Sequence, residues 1–273
     1  MISIITTFYN AERFLEANLR SVQSIFPQDM IEHILVDDGS TDKSNQIALK
    51  YVSNNVRLIS NGRLGRASAL NLAISKSKFR YLCILDADDL INPEWISKFL
   101  KNKDKFINSN INAAVFFGKT KIIDAKTINC EYEDINSSNL DYQCFNNHEI
   151  FFHNPIPHLG VIIDKDLFIG SNLYNEKRKT QLDWELWFRV IKLNKEFIKI
   201  DYSTGSKRVH ADQFFEQKAH IRYLLSGIFL QVYWAYKIRK LILPLVLIVV
   251  MVRFFWGFLP SKFRMMIHKK IPK

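Results

Sequence analysis

Three carboxylates within four residues form the part of this sequence best suited to chemistry. Asp86, Asp88 and Asp89 follow the apolar run Tyr81–Leu85, where a buried strand would end. Residues i and i+2 of an extended segment point the same way, so Asp86 and Asp88 can face one ligand together. Mg²⁺ and Mn²⁺ bind carboxylate oxygens, and Mg²⁺ is typically held by carboxylates together with substrate phosphates. The spacing therefore favours a divalent cation that carries a phosphate. The alternative is a solvated acidic loop that precedes a helix.

Two further polar segments follow apolar runs that resemble strands. Thr7–Asn10 comes at the end of the first run, and Asp37–Ser40 follows Ile31–Val36. Asp38 is placed to accept a hydrogen bond from a pyrimidine ring N–H. The alternative role for this segment is helix capping, for which Ser40, Thr41 and Asp42 are suitable residues.

The elements that must position these segments alternate between strand and helix patterns. Predicted strands are Ile2–Thr7, Ile31–Val36, Val56–Ser60 and Tyr81–Leu85, and apolar residues recur at helical spacing between them. Such alternation predicts an α/β fold with a Rossmann-type, mostly parallel sheet flanked by helices. Ligands of such sheets bind beyond the carboxyl ends of the strands, where all three polar segments lie. Farther along, we predict strands at Ala113–Ile123 and Leu159–Ile163 and a helix at Gln181–Leu193.

The net charge of +11 does not come from the body of the chain. Residues 217–273 hold 11 Lys and Arg and no acidic residue, which leaves 27 basic and 27 acidic residues in positions 1–216. A neutral body with a basic tail is a distribution typical of a membrane anchor, and we expect no nucleic-acid partner. Cys83, Cys130 and Cys144 show no CxxC pairing, which fits a reducing cytosolic compartment. The N-terminus lacks the basic segment of a secretory signal.

The tail itself combines an amphipathic helix, which begins near Ala219, with the apolar stretch Leu241–Leu259. Pro244 and Arg253 interrupt that stretch, and basic residues flank it on both sides. We therefore predict a C-terminal amphipathic and hydrophobic helical tail that binds the membrane surface in its plane. The alternatives are a single-pass span and a buried helical hairpin that either caps the domain or forms a homodimer interface.

Three motifs together resemble the nucleotide-sugar-binding half of a family 2 glycosyltransferase with the GT-A fold. They are Ser3–Asn10, Val36–Asp42 and Leu85–Asp89, in that order, within residues 1–100. The resemblance implies inverting sugar transfer from a nucleotide-sugar, with UDP as the favoured nucleotide, and dependence on Mg²⁺ or Mn²⁺. By residue, it implies base recognition by Asp38, flanking of the base by Thr7 and Tyr9, a ribose or nucleotide contact by Asp86, and metal binding by Asp88. Arg66 is expected near the nucleotide, with a solvated surface arginine as the alternative.

The second half of the chain resembles the family more loosely, around Asp183 and His210. Inverting transfer needs one carboxylate to take the proton of the acceptor hydroxyl, and Asp183 is the candidate for that role. Glu185 is the rival, and because the two lie two residues apart on a helix they face different directions. His210 lies in an Arg-x-His segment with Arg208. The histidine is expected to complete the metal shell or to bind the diphosphate, and Arg208 is expected to neutralise phosphate charge.

These observations predict a glycosyltransferase domain at residues 1–215, with a nucleotide-sugar-binding half at 1–100 and an acceptor half at 101–215. Residues 216–273 are predicted to form a basic, membrane-associating helical tail. We expect a glycan or lipid-linked acceptor, a role in surface-polysaccharide synthesis, and a location at the cytoplasmic face of the plasma membrane. Two alternatives remain: a catalytically inactive, membrane-associated sugar-binding or scaffold protein, and a sugar nucleotidyltransferase. The latter requires a glycine-rich basic loop where this chain has Thr7–Asn10.

Overall fold

A computed structural model describes most of the chain, and it divides into two compact units. The described residues are 1–25, 28–108, 112–132, 140–170, 173–210 and 220–258. The α/β unit comprises Met1–Asn147 with Pro155–His210, and the helical unit comprises His148–Asn154 with Ala211–Lys273. The predicted boundary at 215/216 and the basic end of the predicted tail, 259–273, lie outside the described residues.

The first part of the α/β unit follows the predicted alternation closely. Its strands are β1 (Ile2–Phe8), β2 (Ile31–Asp37), β3 (Val56–Ser60) and β4 (Tyr81–Ile84). Its helices are α1 (Leu15–Gln23), α2 (Ser44–Leu49) and α3 (Arg66–Lys76). The strands are parallel and lie in the order β3-β2-β1-β4. All seven residues of β2 are buried, as expected for a parallel strand that helices cover on both faces.

The second part extends the same sheet with mixed strand directions. It contains β5 (Leu90–Ile91), α4 (Pro93–Asn108), β6 (Ala113–Ile123), β7 (Tyr142–Cys144), β8 (Ile162–Asp164), α5 (Leu182–Lys192) and β9 (Glu196–Arg208). Strand β8 runs antiparallel to β4 and β6, whereas β9 is parallel to β6 and antiparallel to β5 and β7. The predicted fold class is therefore confirmed, with the parallel character concentrated in β1–β4. The predicted strand at 159–163 is shifted toward the C-terminus, to β8.

The core on one side of this sheet is built from aromatic side chains of α4 and the strands that it covers. Trp95 and Phe99 are fully buried, and Phe99 packs edge-on against Tyr81 and Phe116. The indole Nε1 of Trp95 donates to the Gly160 carbonyl at 2.8 Å, which satisfies the polar atom of a buried ring. Burial of each such side chain stabilises the fold by roughly 2–3 kcal/mol.

A buried polar pair lies within the parallel strands. His33 of β2 is 2% exposed, and its Nε2 lies 2.9 Å from Thr6 Oγ1 of β1. Burial lowers the pKa of His33 to about 3, because the charged imidazolium is poorly solvated there. The histidine is therefore neutral at physiological pH.

The helical unit contains α6 (His220–Ile238) and α7 (Leu243–Phe258). Gln231 of α6 donates to the backbone carbonyls of Phe151 and Phe152, both at 2.9 Å. Arg253 of α7 donates to Gln231 Oε1 at 3.3 Å, which places its charge against a polar group. Among the described helices, none has both the length and the apolar character that crossing a membrane requires.

Candidate active site

The loops that follow β1 and β2 are joined by hydrogen bonds at the carboxyl edge of the sheet. The backbone N–H of Asn10 donates to Ser40 Oγ at 3.1 Å, and Asn10 Oδ1 accepts from the Thr41 backbone at 2.8 Å. The Ala11 N–H donates to Ser44 Oγ at 2.8 Å. Asn10 adopts a left-handed conformation with φ 48°, which asparagine tolerates better than most residues. Ser40, Thr41 and Ser44 therefore connect the loop after β1 with the loop after β2, and Ser44 is also the first residue of α2.

The adjacent aspartates after β2 have different roles. Both carboxylate oxygens of Asp37 accept hydrogen bonds from groups in the following loop and helix, at 2.8 Å each. Asp38 reaches across to the next loop, where its Oδ1 accepts from Asn61 Nδ2 at 2.7 Å and from the Gly65 backbone at 3.0 Å. No described residue donates to Asp38 Oδ2. That second oxygen can accept a base N–H, as predicted for Asp38.

Thr7 and Tyr9 flank Phe8, the last residue of β1, which pairs with Asp37 of β2. Thr7 is half-buried and pairs with Val36 in the β1–β2 register. The Tyr9 ring is 40% exposed, and the Arg63 guanidinium carbon lies 4.6 Å from its centroid, in a cation–π contact. Gly39 makes the approach of Arg63 possible, because a β-carbon there would lie 2.9 Å from the Arg63 Cβ. Base stacking by Tyr9 remains a prediction.

Arg66 and Asp86 form an ion pair at the carboxyl end of β4. Arg66 is the first residue of α3, and its Nη2 contacts Asp86 Oδ1 and also lies 3.0 Å from His158 Nδ1. A guanidinium only donates, so His158 Nδ1 accepts and the ring proton is on Nε2. That proton points to Tyr174 Oη, which lies 2.8 Å away. Arg66, predicted either near the nucleotide or on the surface, is therefore part of a network with Asp86.

The charges of this network stabilise one another. Burial opposes ionisation of Asp86, but Arg66, His158 and Lys207 together outweigh it and hold the pKa of this carboxyl well below its usual range. Partial burial likewise opposes the charge of Arg66, yet Asp86 and Asp183 raise the pKa of the guanidinium. Asp183 of α5 is thus one of the carboxylates whose negative charge favours the cationic form of Arg66.

Asp88 and His210, the two predicted metal ligands, lie side by side. Asp88 Oδ2 and His210 Nε2 are 3.1 Å apart. The imidazole packs on the Phe14 ring, with 4.6 Å between centroids. Asp89, in contrast, is 2% exposed and accepts from the Arg208 backbone at 2.8 Å. Burial, followed by the nearby charge of Asp88, raises the pKa of Asp89 well above its usual value.

Arg208 does not lie where a phosphate contact would require it. Its side chain is 1% exposed, and its guanidinium donates to the backbone carbonyls of Asp88, Asp124 and Thr127 at 2.6–2.9 Å. The expected neutralisation of phosphate by Arg208 therefore does not fit the structure. Arg208 instead fixes the loop that carries Asp88.

The chemistry of Asp88 and His210 fits a divalent cation. Two adjacent ligands of an octahedral ion at about 2.1 Å stand about 3.0 Å apart, close to the 3.1 Å observed. Carboxylate and imidazole are both ligands that Mn²⁺ accepts. The described residues contain no group of three or more His, Cys, Asp and Glu side chains arranged to hold a metal. A cation held here would therefore complete its shell with substrate phosphates and water.

The two acidic residues at the start of α5 are separated by their contacts. Glu185 is 7% exposed and forms an ion pair with Arg189 at 2.9 Å, one turn along the helix. Asp183 is half-buried, and its charge acts on Arg66 and Tyr174. Because Glu185 is paired with Arg189 within the helix, Asp183 is the better candidate of the two acids, and its role as the base remains a prediction.

Sequence reasoning did not assign the residues that support Arg66. Neither His158 nor Tyr174 lies in a motif that indicates a role. Asn71 of α3 holds Tyr174 in place, because its side-chain amide bonds the Tyr174 backbone N–H and C=O, each at 2.9 Å. Only the order Pro157-His158 before a buried strand signalled this site, and the contact with Arg66, 92 residues away, has no local signature.

The family model described as "Glycosyl transferase family 2" matches residues 3–153, more than half of the chain. The chain belongs to glycosyl transferase family 2. This match covers the loops after β1, β2 and β4, so the site assembled by those loops lies within the family region. Asp183 and His210 lie beyond the matched residues.

Curated relatives and solved structures agree with this membership. The chain is 29% identical over 211 residues to the teichoic acid poly(glycerol phosphate) polymerase of Staphylococcus epidermidis, covering 73% of this chain and 27% of that protein. It is 27% identical over 217 residues to an uncharacterized glycosyltransferase of Rickettsia typhi, covering 78% of this chain and 65% of that protein. The chain thus spans less than two thirds of these relatives. The crystal structure of Staphylococcus aureus TarS 1-349 in complex with UDP-GlcNAc matches with a TM-score of 0.65 and 19% identity, covering 87% of this chain and 67% of that one, which shows the shared fold.

Proposed function

We propose that this chain is an inverting, metal-dependent glycosyltransferase that moves a hexosyl or hexosaminyl group from a nucleotide-sugar, most simply a UDP-sugar, to a hydroxyl group. One observation carries the proposal: the segments after β2, β3, β4 and β9 bring an acid, an arginine and a carboxylate–imidazole pair to one edge of the sheet. The residues are Asp38, Arg66, Asp88 and His210. The TarS structures with UDP and UDP-GlcNAc support a uridine donor by analogy.

Each group at the site has a task in the transfer. Asp38 Oδ2 accepts from the base, and Arg66 neutralises part of the charge that accumulates on the leaving diphosphate. Asp88 and His210 would hold Mg²⁺ or Mn²⁺, which supplies further positive charge to the leaving group. Asp183 takes the acceptor hydroxyl proton while the acceptor oxygen bonds to the anomeric carbon. The bond from that carbon to the diphosphate breaks on the opposite face, so the anomeric configuration inverts.

The acceptor and the location are further parts of the proposal. The S. epidermidis relative is named a teichoic acid polymerase, which supports a glycan or lipid-linked surface polymer as the acceptor. A chain bound to the cytoplasmic face of the plasma membrane would meet a lipid-linked acceptor on that same surface. Residues 217–273, with their 11 basic side chains, are the proposed membrane-binding segment.

Calorimetric titration with UDP, GDP, CDP and ADP, with and without Mn²⁺, tests the donor site. We expect UDP to bind most tightly and only with the metal. Asp88→Ala should lower UDP affinity by about tenfold or more, because it removes one of two protein ligands to the cation. Asp104→Ala is the matched control, since Asp104 is an exposed acid of α4 that pairs with the neighbouring Lys103.

The proposal would be wrong if a folded sample bound none of these nucleotides. It would also be wrong if Asp88→Ala and Asp104→Ala bound UDP equally well in the presence of Mn²⁺. Binding without turnover toward any UDP-sugar, in contrast, would favour an inactive sugar-binding protein.

A further inference from the structure

Helix α7 presents its apolar side chains outward. Leu245, Ile248, Met251 and Val252 are between 52% and 61% exposed, whereas Val246 and Val250 are buried. The exposed positions recur every three to four residues, so they form one stripe along the helix. We call these four residues the α7 stripe. A continuous apolar stripe of this kind on a water-facing surface indicates an interaction site.

The one charged residue of α7 points the other way. Arg253 donates to Gln231 Oε1, and Gln231 is 1% exposed and bonded to two backbone carbonyls of residues 151 and 152. Burial lowers the pKa of Arg253, but the guanidinium remains a cation in this setting. The charge of α7 therefore lies on its packed face, beside the buried Val246 and Val250, whereas the open face carries exposed apolar side chains, unlike a water-exposed amphipathic helix.

Helix α6 carries a second exposed stripe of a different composition. Phe229, Tyr233 and Tyr236 are 70%, 54% and 52% exposed and recur at helical spacing. The Lys237 Nζ lies 5.9 Å from the Tyr233 ring centroid, and the Lys240 Nζ lies 5.0 Å from that of Tyr236. Tyrosine and lysine together are the residues typical of the boundary between lipid headgroups and acyl chains. We call these five residues the Tyr–Lys stripe.

We infer that the helical unit docks on an anionic lipid bilayer. The α7 stripe enters the acyl boundary while the helix lies in the plane of the membrane, and the Tyr–Lys stripe contacts the headgroups. The packed face, with Val246, Val250 and Arg253, remains against the rest of the unit, so only one side of α7 meets lipid. Charge favours this occupant over a second copy of the chain, because residues 217–273 contain no acid and two copies would bring like charges together.

This inference assigns residues to the proposed membrane partner and does not depend on catalysis. Vesicle binding is measured without donor or metal, and nucleotide binding is measured without vesicles, so the two proposals fail separately. The assay is co-sedimentation of the full chain with phosphatidylcholine vesicles, with and without phosphatidylglycerol. We expect binding to the anionic vesicles, weakened by salt.

Two glutamates in the α7 stripe provide the decisive variant. Ile248→Glu with Met251→Glu should lower the affinity for anionic vesicles by about tenfold or more, because charged side chains do not enter the acyl boundary. Leu49→Glu with Val52→Glu is the matched control, since both residues are exposed apolar side chains of the α/β unit at the same spacing. We expect the control to bind like the unmodified chain.

A second variant separates the electrostatic contribution to vesicle binding from the apolar contribution. Lys237→Gln with Lys240→Gln should reduce the preference for anionic over neutral vesicles by about tenfold and leave the melting temperature unchanged. Absence of vesicle binding by the folded chain, or an equal loss in the Leu49/Val52 control, would overturn the inference. If the Ile248/Met251 variant instead converted a dimer to a monomer with no change in vesicle binding, the α7 stripe would be a contact between copies.

Discussion

Tyr174→Phe removes one buried hydroxyl and should weaken binding of the nucleotide-sugar donor, although Tyr174 itself is not expected to contact the donor. Tyr174 Oη lies 2.8 Å from His158 Nε2, and the opposite ring nitrogen accepts from Arg66. Tyr174 is 2% exposed, and two hydrogen bonds from Asn71 hold its backbone. The substituted ring should therefore stay in place while His158 loses its partner.

The size of both effects follows from the loss of the hydrogen-bond partner of His158 Nε2. His158 is 9% exposed, so an N–H without a partner there costs about 1–3 kcal/mol, which should appear as a lower free energy of unfolding. The imidazole becomes free to turn, and the Arg66 guanidinium loses one of its two supports while Asp86 keeps the other. We expect UDP affinity to fall by about fivefold, equivalent to about 1 kcal/mol.

Urea unfolding and UDP calorimetry with Mn²⁺ check the two effects. Tyr202→Phe is the matched control: Tyr202 is 3% exposed, and its hydroxyl donates to Glu94 Oε2 at 2.6 Å. Glu94 can replace that bond with water, because its side chain is 48% exposed. The reasoning would be refuted if Tyr174→Phe left both stability and UDP affinity unchanged. It would also be refuted if Tyr202→Phe weakened UDP binding as much.

Five other substitutions test three separate features. Asp183→Asn should lower kcat by roughly 10²–10⁴-fold with UDP affinity unchanged. Glu185→Gln should instead lower the free energy of unfolding by about 1–3 kcal/mol, since it breaks a buried ion pair on α5; equal kcat losses would contradict this assignment. Burial lowers the pKa of His33 to about 3. Below about pH 6.5 the unfolded chain therefore binds a proton that the folded protein does not bind, so the free energy of unfolding decreases as the pH is lowered. Between pH 7 and pH 5, urea titrations should show the unmodified chain losing about 2 kcal/mol more than His33→Gln; identical pH dependence would count against a neutral buried imidazole. Gly39→Ala, with φ +80° and a neighbouring Cβ at 2.9 Å, should cost about 1–3 kcal/mol and weaken UDP binding, whereas Gly62→Ala, in open space at φ +62°, should cost about 1 kcal/mol; calorimetry and thermal melting compare the two.

Much of the α/β unit could be predicted because its periodic patterns are local. Strand β6 begins and ends where the apolar run predicts, and α5 differs from the predicted helix by one residue at each end. The strand directions beyond β4 were not predictable in this way. Strand β5 has only two residues, and β8 pairs antiparallel between β4 and β6. Such pairings depend on long-range contacts that no short window of sequence contains.

In the candidate site, too, the positions of the loops could be predicted, whereas the contacts of individual side chains could not. Parallel strands place their carboxyl ends together, so the meeting of the Asp38 and Asp86 loops followed from the strand order alone. The partner of each side chain did not follow. Arg208 looked like a phosphate ligand from its position in an Arg-x-His segment, but its guanidinium bonds three backbone carbonyls. An arginine's partners are set by burial, which the segment itself does not reveal.

His158 links the two halves of the proposed reaction. Its Nδ1 accepts from Arg66, which pairs with Asp86 on the donor side. Its ring also packs near Trp187, with 6.4 Å between centroids, and Trp187 lies one helical turn after Asp183 on α5. His158 therefore contacts Arg66 and lies near α5 through Trp187, and we expect it to help fix the distance between the proposed diphosphate site and Asp183. Proximity of this kind contributes to catalysis only when both partners are held rigidly. Substitution at His158 should therefore lower kcat as well as donor affinity, whereas loss of Asp38 should lower donor affinity alone.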